Sequence, residues 1–307
     1  MIVLAMLLGA GCGPSALQDD AGSEDGSTGG ADARRGADAP PCSDVIDLVF
    51  VLDTSSSMGF VLQALENQIG QVAEAANQLA PDARFGLVVF QDNHWLDMTG
   101  PLEGGRAHTA AATLQTAFAN YRTNFTDYNR NPGDGLQGPT TQNPICEENS
   151  LDGLYAAAAE FPWRDNATRV VILATDDTFL ERPDNYGDRD GDGLTDKTDY
   201  PREGDYPALR TLSETVTALQ TARIRVFSFT RLQPPGALDL TRCGTPRRLP
   251  WNDITDGWTT PYAGQAPIPE QTDARNFDLD AVRTGSLSLA DTINEVVLDS
   301  YCVPPVL

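Results

Sequence analysis

The chain has 307 residues, of which 40% are hydrophobic, and it carries 44 acidic residues against 21 basic ones, for a formal net charge of -23. This length is sufficient for one large domain or two small ones, and the hydrophobic content is sufficient for a sizeable core. The negative charge argues against nucleic acids and anionic membrane surfaces as partners, because both are negatively charged themselves.

The amino-terminal stretch MIVLAMLLGAGC, residues 1–12, is predicted to be a signal peptide. Its apolar run is too short to span a bilayer as a mature helix but fits the core of an export signal. The small residues Gly9, Ala10 and Gly11 before Cys12 resemble a bacterial lipobox, which implies that Cys12 carries lipid after cleavage. We therefore expect an exported protein that contacts the membrane only through this anchor, at the outer membrane or cell surface of the envelope. The alternative is an ordinary export signal.

Residues 13–41 are predicted to be a flexible linker, because they are rich in Gly, Ala, Ser and Asp and hold almost no large apolar residue. Four cysteines follow, and an even number in an exported chain suggests two disulfides, for which three pairings are possible. We favour Cys42–Cys302, because these residues flank the first predicted strand and the last predicted helix and their bond closes nearly the whole domain. Cys146–Cys243 is then the second disulfide.

From residue 42 to residue 303 the hydrophobic pattern alternates between strands and helices. Near-continuous apolar runs predict strands covered on both faces, at residues 44–53, 84–90, 168–177 and 224–229. Apolar residues at spacings of three and four predict helices, at residues 61–79, 108–121, 150–161, 209–219 and 288–302. The alternation predicts an α/β fold, a doubly wound and mostly parallel sheet flanked by helices. Two stretches without such a pattern, residues 178–205 and 231–283, are predicted to be insertions.

Acidic and hydroxyl side chains follow two of the predicted strands. Asp53, Ser55 and Ser57 come directly after the first strand, and Asp176 lies at the end of the strand that begins at Thr168. Ligands of parallel α/β sheets bind beyond the carboxyl ends of the strands. Because alternate side chains of an extended turn face the same way, one carboxylate and two hydroxyls can converge on a hard cation such as Mg²⁺, Mn²⁺ or Ca²⁺. The alternative is a metal-free helix cap at Ser57.

The stretch DLVFVLDTSSSM resembles the first strand and the metal-ion-dependent adhesion site of von Willebrand factor A domains. The resemblance covers most of the chain from Cys42 to Cys302 and implies that Asp53, Ser55 and Ser57 are the DxSxS ligands of Mg²⁺ or Mn²⁺.

The remaining ligands of that site are expected from two later stretches. In VVILATDD, Asp176 takes the place of the aspartate that binds the metal, commonly through water, and Asp177 replaces the usual glycine. In PICEENSLDGLYAAA, Glu148 matches the glutamate of the integrin β form of the site. Thr140 and Thr141 are the alternative candidates for this position.

The resemblance also implies a function. The metal of such domains keeps an open coordination position, which an acidic side chain of a partner protein fills, so we expect metal-dependent protein binding and no enzymatic turnover. A metal-dependent hydrolase or phosphotransferase is an alternative, because a strand-end aspartate followed by hydroxyls is similar to phosphoaspartyl enzymes, although Ser55 stands where a second aspartate is usual. A structural envelope protein with a non-binding site is the other alternative.

A second cation motif, DRDGDGLTDKTD, lies in the first predicted insertion. Acidic residues at positions one, three, five, nine and twelve and glycine at position six match the ligand spacing of an EF-hand-type Ca²⁺ loop. The expected ligands are Asp188, Asp190, Asp192, the Leu194 carbonyl, Asp196 and Asp199. Aspartate at position twelve also resembles the calcium repeats of thrombospondin type 3 and dockerin. We expect Ca²⁺ to order the insertion; the alternative is a solvated acidic loop.

Overall fold

Six strands form one sheet in the computed structural model, which describes residues 45–91, 93–124, 148–182, 209–232 and 254–301. The strands are β1 (Ile46–Asp53), β2 (Arg84–Phe90), β3 (His94–Leu96), β4 (Thr168–Ala174), β5 (Arg225–Thr230) and β6 (Asn276–Asp278). Their order across the sheet is β3-β2-β1-β4-β5-β6, and all neighbours are parallel except β3, which is antiparallel to β2. The predicted α/β fold with a mostly parallel sheet is confirmed.

Helices cover both faces of this sheet. They are α1 (Gly59–Leu79), α2 (Ala111–Asn124), α3 (Ser150–Glu160), α4 (Leu212–Thr221), α5 (Ile268–Gln271), α6 (Leu279–Arg283) and α7 (Leu289–Tyr301). The α1, α2 and α7 helices contribute to the core on one face, and α3, α4 and α5 contribute to the core on the other. None of the helices within the described residues is long and apolar enough to cross a membrane.

The continuous apolar run of β1 is explained by these two cores. Leu48, Phe50 and Leu52 face the α1, α2 and α7 side, whereas Val49 and Val51 face the α3 and α4 side. Successive side chains of a strand point to opposite faces, so a strand with helices on both sides favours apolar residues at successive positions, as from Leu48 to Leu52. β1 is therefore a central strand, and its carboxyl end lies between the ends of its neighbours β2 and β4.

The prediction that residues 231–283 form an irregular insertion is wrong for its carboxyl-terminal part. The described residues from 254 onward include α5, β6 and α6, and β6 extends the sheet by pairing with β5. β6 has only three residues, NFD, and β3 likewise only HWL. Such short strands carry no readable alternation of polar and apolar residues, so tertiary pairing rather than local pattern determines them.

The α4 helix begins later than predicted. Leu209 lies outside α4 and is 49% exposed. α4 starts after Thr211, whose hydroxyl accepts a hydrogen bond from the Glu214 backbone N–H, while the Glu214 carboxylate accepts one from the Thr211 N–H. This capping box satisfies two backbone donors of the first turn and sets the start of the helix.

We predict that Gly86→Ala destabilises the fold. An added Cβ in the middle of β2 lies 2.5 Å from the ring of Phe161, and overpacking of this kind costs about 1–3 kcal/mol of unfolding free energy. Gly70→Ala in α1 is the matched control, because its Cβ meets no atom of the described residues within 4 Å and alanine favours a helix by up to about 1 kcal/mol. Urea unfolding of both variants checks this; an unfolding midpoint for Gly86→Ala at or above that of the wild type would contradict it.

Candidate metal site

The turn after β1 brings its polar side chains together through local hydrogen bonds. The Ser55 backbone N–H donates to Asp53 Oδ1 at 2.7 Å, and the Ser55 and Ser57 hydroxyl oxygens are 3.1 Å apart. A 3₁₀ turn at Ser56–Met58 follows, and α1 begins at Gly59. The convergence of the Asp53, Ser55 and Ser57 side chains that the alternating pattern predicts is therefore present.

The end of β4 supplies the second half of the site. β1 and β4 are adjacent and parallel, with Leu52 opposite Ala174, so the residues that follow each strand meet at one edge. The Ser57 hydroxyl donates to Asp176 Oδ1 at 2.8 Å, and the Thr175 hydroxyl donates to Asp53 Oδ2 at 2.8 Å. The site thus joins two carboxylates and three hydroxyls from two strands that are far apart in sequence.

Both carboxylates are buried and have almost no contact with solvent. Asp53 is 1% exposed and Asp176 is 5% exposed. Burial and the neighbouring charge of Asp176 raise the pKa of Asp53 to about 7, although hydrogen bonds from Ser55 and Thr175 act in the opposite direction. Desolvation and a like charge both disfavour the ionised form. The site therefore favours an added positive charge, whether from a proton or from a cation.

Arg283, the last residue of α6, supplies one positive charge to this site. Its guanidinium donates to Asp176 Oδ2 at 2.9 Å and lies over the ring of Phe60 at 4.6 Å from the ring centre. The sequence does not indicate Arg283 as a site residue, because residues 231–283 lack a regular hydrophobic pattern. Thr175 is not among the predicted ligands either, although a hydroxyl residue between a buried strand and Asp176 is a readable signal.

Glu148 lies at the same edge of the sheet and is 3% exposed. Its backbone N–H donates to the Thr178 carbonyl and its carbonyl accepts from the Leu180 N–H, while Asn149 N–H donates to the carbonyl of Gln91 after β2. These bonds hold the start of α3 between the segments that follow β2 and β4. They support the predicted placement of Glu148 near the site; its role as a ligand stays a prediction.

Several predicted features lie outside the described residues, which therefore do not test them. They are the lipidation site Cys12, the disulfides Cys42–Cys302 and Cys146–Cys243, the alternative ligands Thr140 and Thr141, and the calcium loop at residues 188–199.

The donors of the site fit a hard divalent cation. Carboxylate and hydroxyl oxygens are the ligands that Mg²⁺ and Mn²⁺ prefer over soft sulfur ligands. Within the described ranges, no three or more His, Cys, Asp and Glu side chains form a group that could hold a metal ion. A cation here would therefore need the hydroxyls of Ser55 and Ser57 as well as the carboxylates of Asp53 and Asp176.

The sequence matches no protein-family model and no curated protein. Solved structures share the fold only distantly. Proximal thread matrix protein 1 from the mussel byssus is 15% identical with a TM-score of 0.42, over 83% of this chain and 46% of that one. A von Willebrand factor type A protein from Catenulispora acidiphila is 12% identical with a TM-score of 0.42, over 83% of this chain and 42% of that one.

A third similar structure is the conserved hypothetical protein BatB from Bacteroides thetaiotaomicron, which is 12% identical with a TM-score of 0.38, over 82% of this chain and 99% of that one. The match to this chain spans less than half the length of the mussel protein and of the Catenulispora protein. Likenesses of this degree carry no functional argument. The function proposed below therefore rests on the side chains at the ends of β1 and β4.

We predict that Asp53→Asn stabilises the cation-free protein at high pH. The folded state raises this pKa from 3.8 to about 7, so it holds the proton more tightly than the unfolded chain. The carboxyl group's contribution to stability is thus fully present below about pH 4 and is lost as the pH rises to about 7. Asparagine carries no charge, so this loss is absent from the variant.

Thermal unfolding in EDTA between pH 4 and pH 8 measures this effect. The variant should unfold at a higher temperature than the wild type at pH 8, and the difference should shrink towards pH 4. Parallel curves for the two proteins across this range would contradict the prediction.

Proposed function

We propose that this protein is a cation-dependent protein-binding domain of the von Willebrand factor A type. Asp53, Ser55, Ser57 and Asp176 would hold Mg²⁺ or Mn²⁺, and the partner would present an acidic side chain. The observation that carries this proposal is the direct contact between the two strand ends, the Ser57 hydroxyl bonded to Asp176. When bound, the cation would supply a positive charge that a carboxylate of the partner can reach.

A charge count supports an acidic ligand. Asp53 and Asp176 contribute two negative charges, and Arg283, which is bonded to Asp176, contributes one positive charge. The hydroxyls of Ser55 and Ser57 are neutral. With a divalent cation these groups would carry a formal charge of about +1, or of zero with Glu148 as a further ligand, and the low-dielectric surroundings would strengthen the attraction of the cation for a carboxylate.

Binding is favoured over turnover by the way in which the carboxylates are engaged. Within the described residues, both oxygens of Asp53 accept hydrogen bonds, from the Ser55 N–H and the Thr175 hydroxyl, and both oxygens of Asp176 accept as well, among others from Ser57 and Arg283. These bonds fix both carboxylates in place, as ligands require, whereas a nucleophile needs an oxygen directed at a substrate.

The contacts of His108 fit a structural role rather than a catalytic one. His108 is fully buried, and its two ring nitrogens contact Asp97 and Thr113 at 3.1 and 3.0 Å. Tyr121 donates to the same Asp97 carboxylate at 3.0 Å. This network joins the segment after β3 to α2. His94 lies on the edge strand β3.

The calcium loop and the envelope anchor belong to the same proposal, on sequence motifs alone. We propose that residues 188–199 bind Ca²⁺ and that Cys12 attaches the exported chain to the envelope membrane. The described residues on either side of the loop are bonded to one another, because Arg182 N–H donates to the Arg210 carbonyl at 3.0 Å. Leu209 N–H donates to Asp152 of α3, also at 3.0 Å. The described residues that flank the stretch 183–208 therefore lie next to each other beside α3.

The cation site is tested with the double variant Ser55→Ala/Ser57→Ala. Mn²⁺ at 100 times its dissociation constant stabilises a protein by about 2.7 kcal/mol, so the wild type should show a clear rise in melting temperature that EDTA reverses. The double variant should lose most of this rise and keep only what other sites contribute. Ser213→Ala, which removes an exposed hydroxyl from α4, is the matched control and should respond like the wild type.

Protein binding is tested by capture from envelope extract on the immobilised wild-type chain in Mn²⁺, followed by elution with EDTA. A partner that elutes from the wild type and from Ser213→Ala but is absent from the double variant supports the proposal. Equal capture by all three proteins in EDTA would contradict it, and phosphatase or peptidase turnover that the double variant loses would favour an enzyme.

A further inference from the structure

Arg283 stands at the candidate metal site because of two unusually short elements. β6 pairs with β5, and its last residue, Asp278, accepts a hydrogen bond from the Asp280 N–H at 2.9 Å and thereby caps α6. The α6 helix has five residues and ends at Arg283. The pairing of β6 with β5 therefore brings this arginine next to Asp176, which follows β4.

The guanidinium of Arg283 has two partners, and both belong to the site. It donates to Asp176 Oδ2 at 2.9 Å, while the other oxygen of this carboxylate accepts from Ser57 at 2.8 Å. It also lies 4.6 Å from the ring centre of Phe60, in the first turn of α1. Phe60 thus packs against one face of the guanidinium. In the cation-free protein, Asp176 is already paired with Arg283.

We propose that Arg283 is a resident counter-cation that sets how tightly the site binds a divalent cation. This inference rests on the proposed function. A metal held by Asp176 has to share the carboxylate with the guanidinium, and the two positive charges repel each other across a buried site. Arginine keeps its charge at every physiological pH, so this opposition is permanent. The wild-type site therefore binds a bare cation weakly.

A purely structural ion pair predicts a different outcome. In that case Arg283 would only neutralise Asp176, and its removal would leave a buried carboxylate without its cation and destabilise the fold. The affinity for Mn²⁺ would then be unchanged or lower. The two accounts differ in the direction in which cation affinity moves, so an affinity measurement separates them.

The test measures Mn²⁺ binding to the wild type, Arg283→Met and Arg283→Lys. The electron paramagnetic resonance signal of the free ion is the readout. The Ser55→Ala/Ser57→Ala protein serves as a blank for Mn²⁺ held elsewhere. Arg275→Met is the matched control, because Arg275 also pairs with an acid, Glu295, and also lies over a phenylalanine, Phe277, at 5.0 Å from the ring centre. It removes the same charge from a different surface.

We expect Arg283→Met to bind Mn²⁺ at least tenfold more tightly than the wild type, and Arg283→Lys and Arg275→Met to stay within about threefold of it. Equal or weaker binding by Arg283→Met, measured below its melting temperature in EDTA and with wild-type binding above the blank, would overturn the inference alone. Binding no greater than the blank in the wild type and in all three arginine variants would overturn the proposed cation site and this inference with it.

Discussion

Two carboxylates, those of Asp53 and Asp176, meet side by side with almost no access to water at the ends of adjacent strands. Burial of a charge costs free energy, and a second charge of the same sign nearby increases that cost. The protein offsets part of it with hydrogen bonds from Ser55, Thr175 and Ser57 and with the guanidinium of Arg283. The remainder appears as a raised pKa of Asp53. An arrangement that is unfavourable for stability is often a sign of binding or catalysis.

The topology of the sheet creates this constraint. A parallel sheet aligns the carboxyl ends of its strands, and the order β2-β1-β4-β5 places the ends of β1 and β4 next to each other in the interior of the sheet. The cores on both faces pack against these strands and keep their carboxyl ends adjacent. Every element that completes the site follows a strand: the turn before α1, the segment after β4 and the α6 helix after β6.

Those parts of the site that depend on regular patterns could be predicted from the sequence. The uninterrupted apolar run of β1 indicates a central strand, and the spacing of Asp53, Ser55 and Ser57 indicates side chains that converge. Asp176 could be added because two buried parallel strands must end at one edge. Each of these inferences uses a periodicity of the backbone, either the alternation within a strand or the common direction of parallel strands.

The remaining parts depend on contacts that no local pattern encodes. Arg283 reaches the site only because the three residues of β6 pair with β5, and a strand of this length has no alternation to read. Glu148 was predicted as a ligand by resemblance, whereas the structure establishes only where its backbone lies. The calcium loop has a readable spacing of acids, but it lies outside the described residues.

The proposed function depends on a divalent cation at the oxygen cluster that follows β1 and β4. Anomalous diffraction from crystals grown with Mn²⁺ can locate such an ion. We expect an anomalous peak within bonding distance, about 2.2 Å, of the Ser55 and Ser57 hydroxyls, with Asp53 and Asp176 around the same ion. A map with no peak there at saturating Mn²⁺, and with Arg283 still bonded to Asp176, would contradict it.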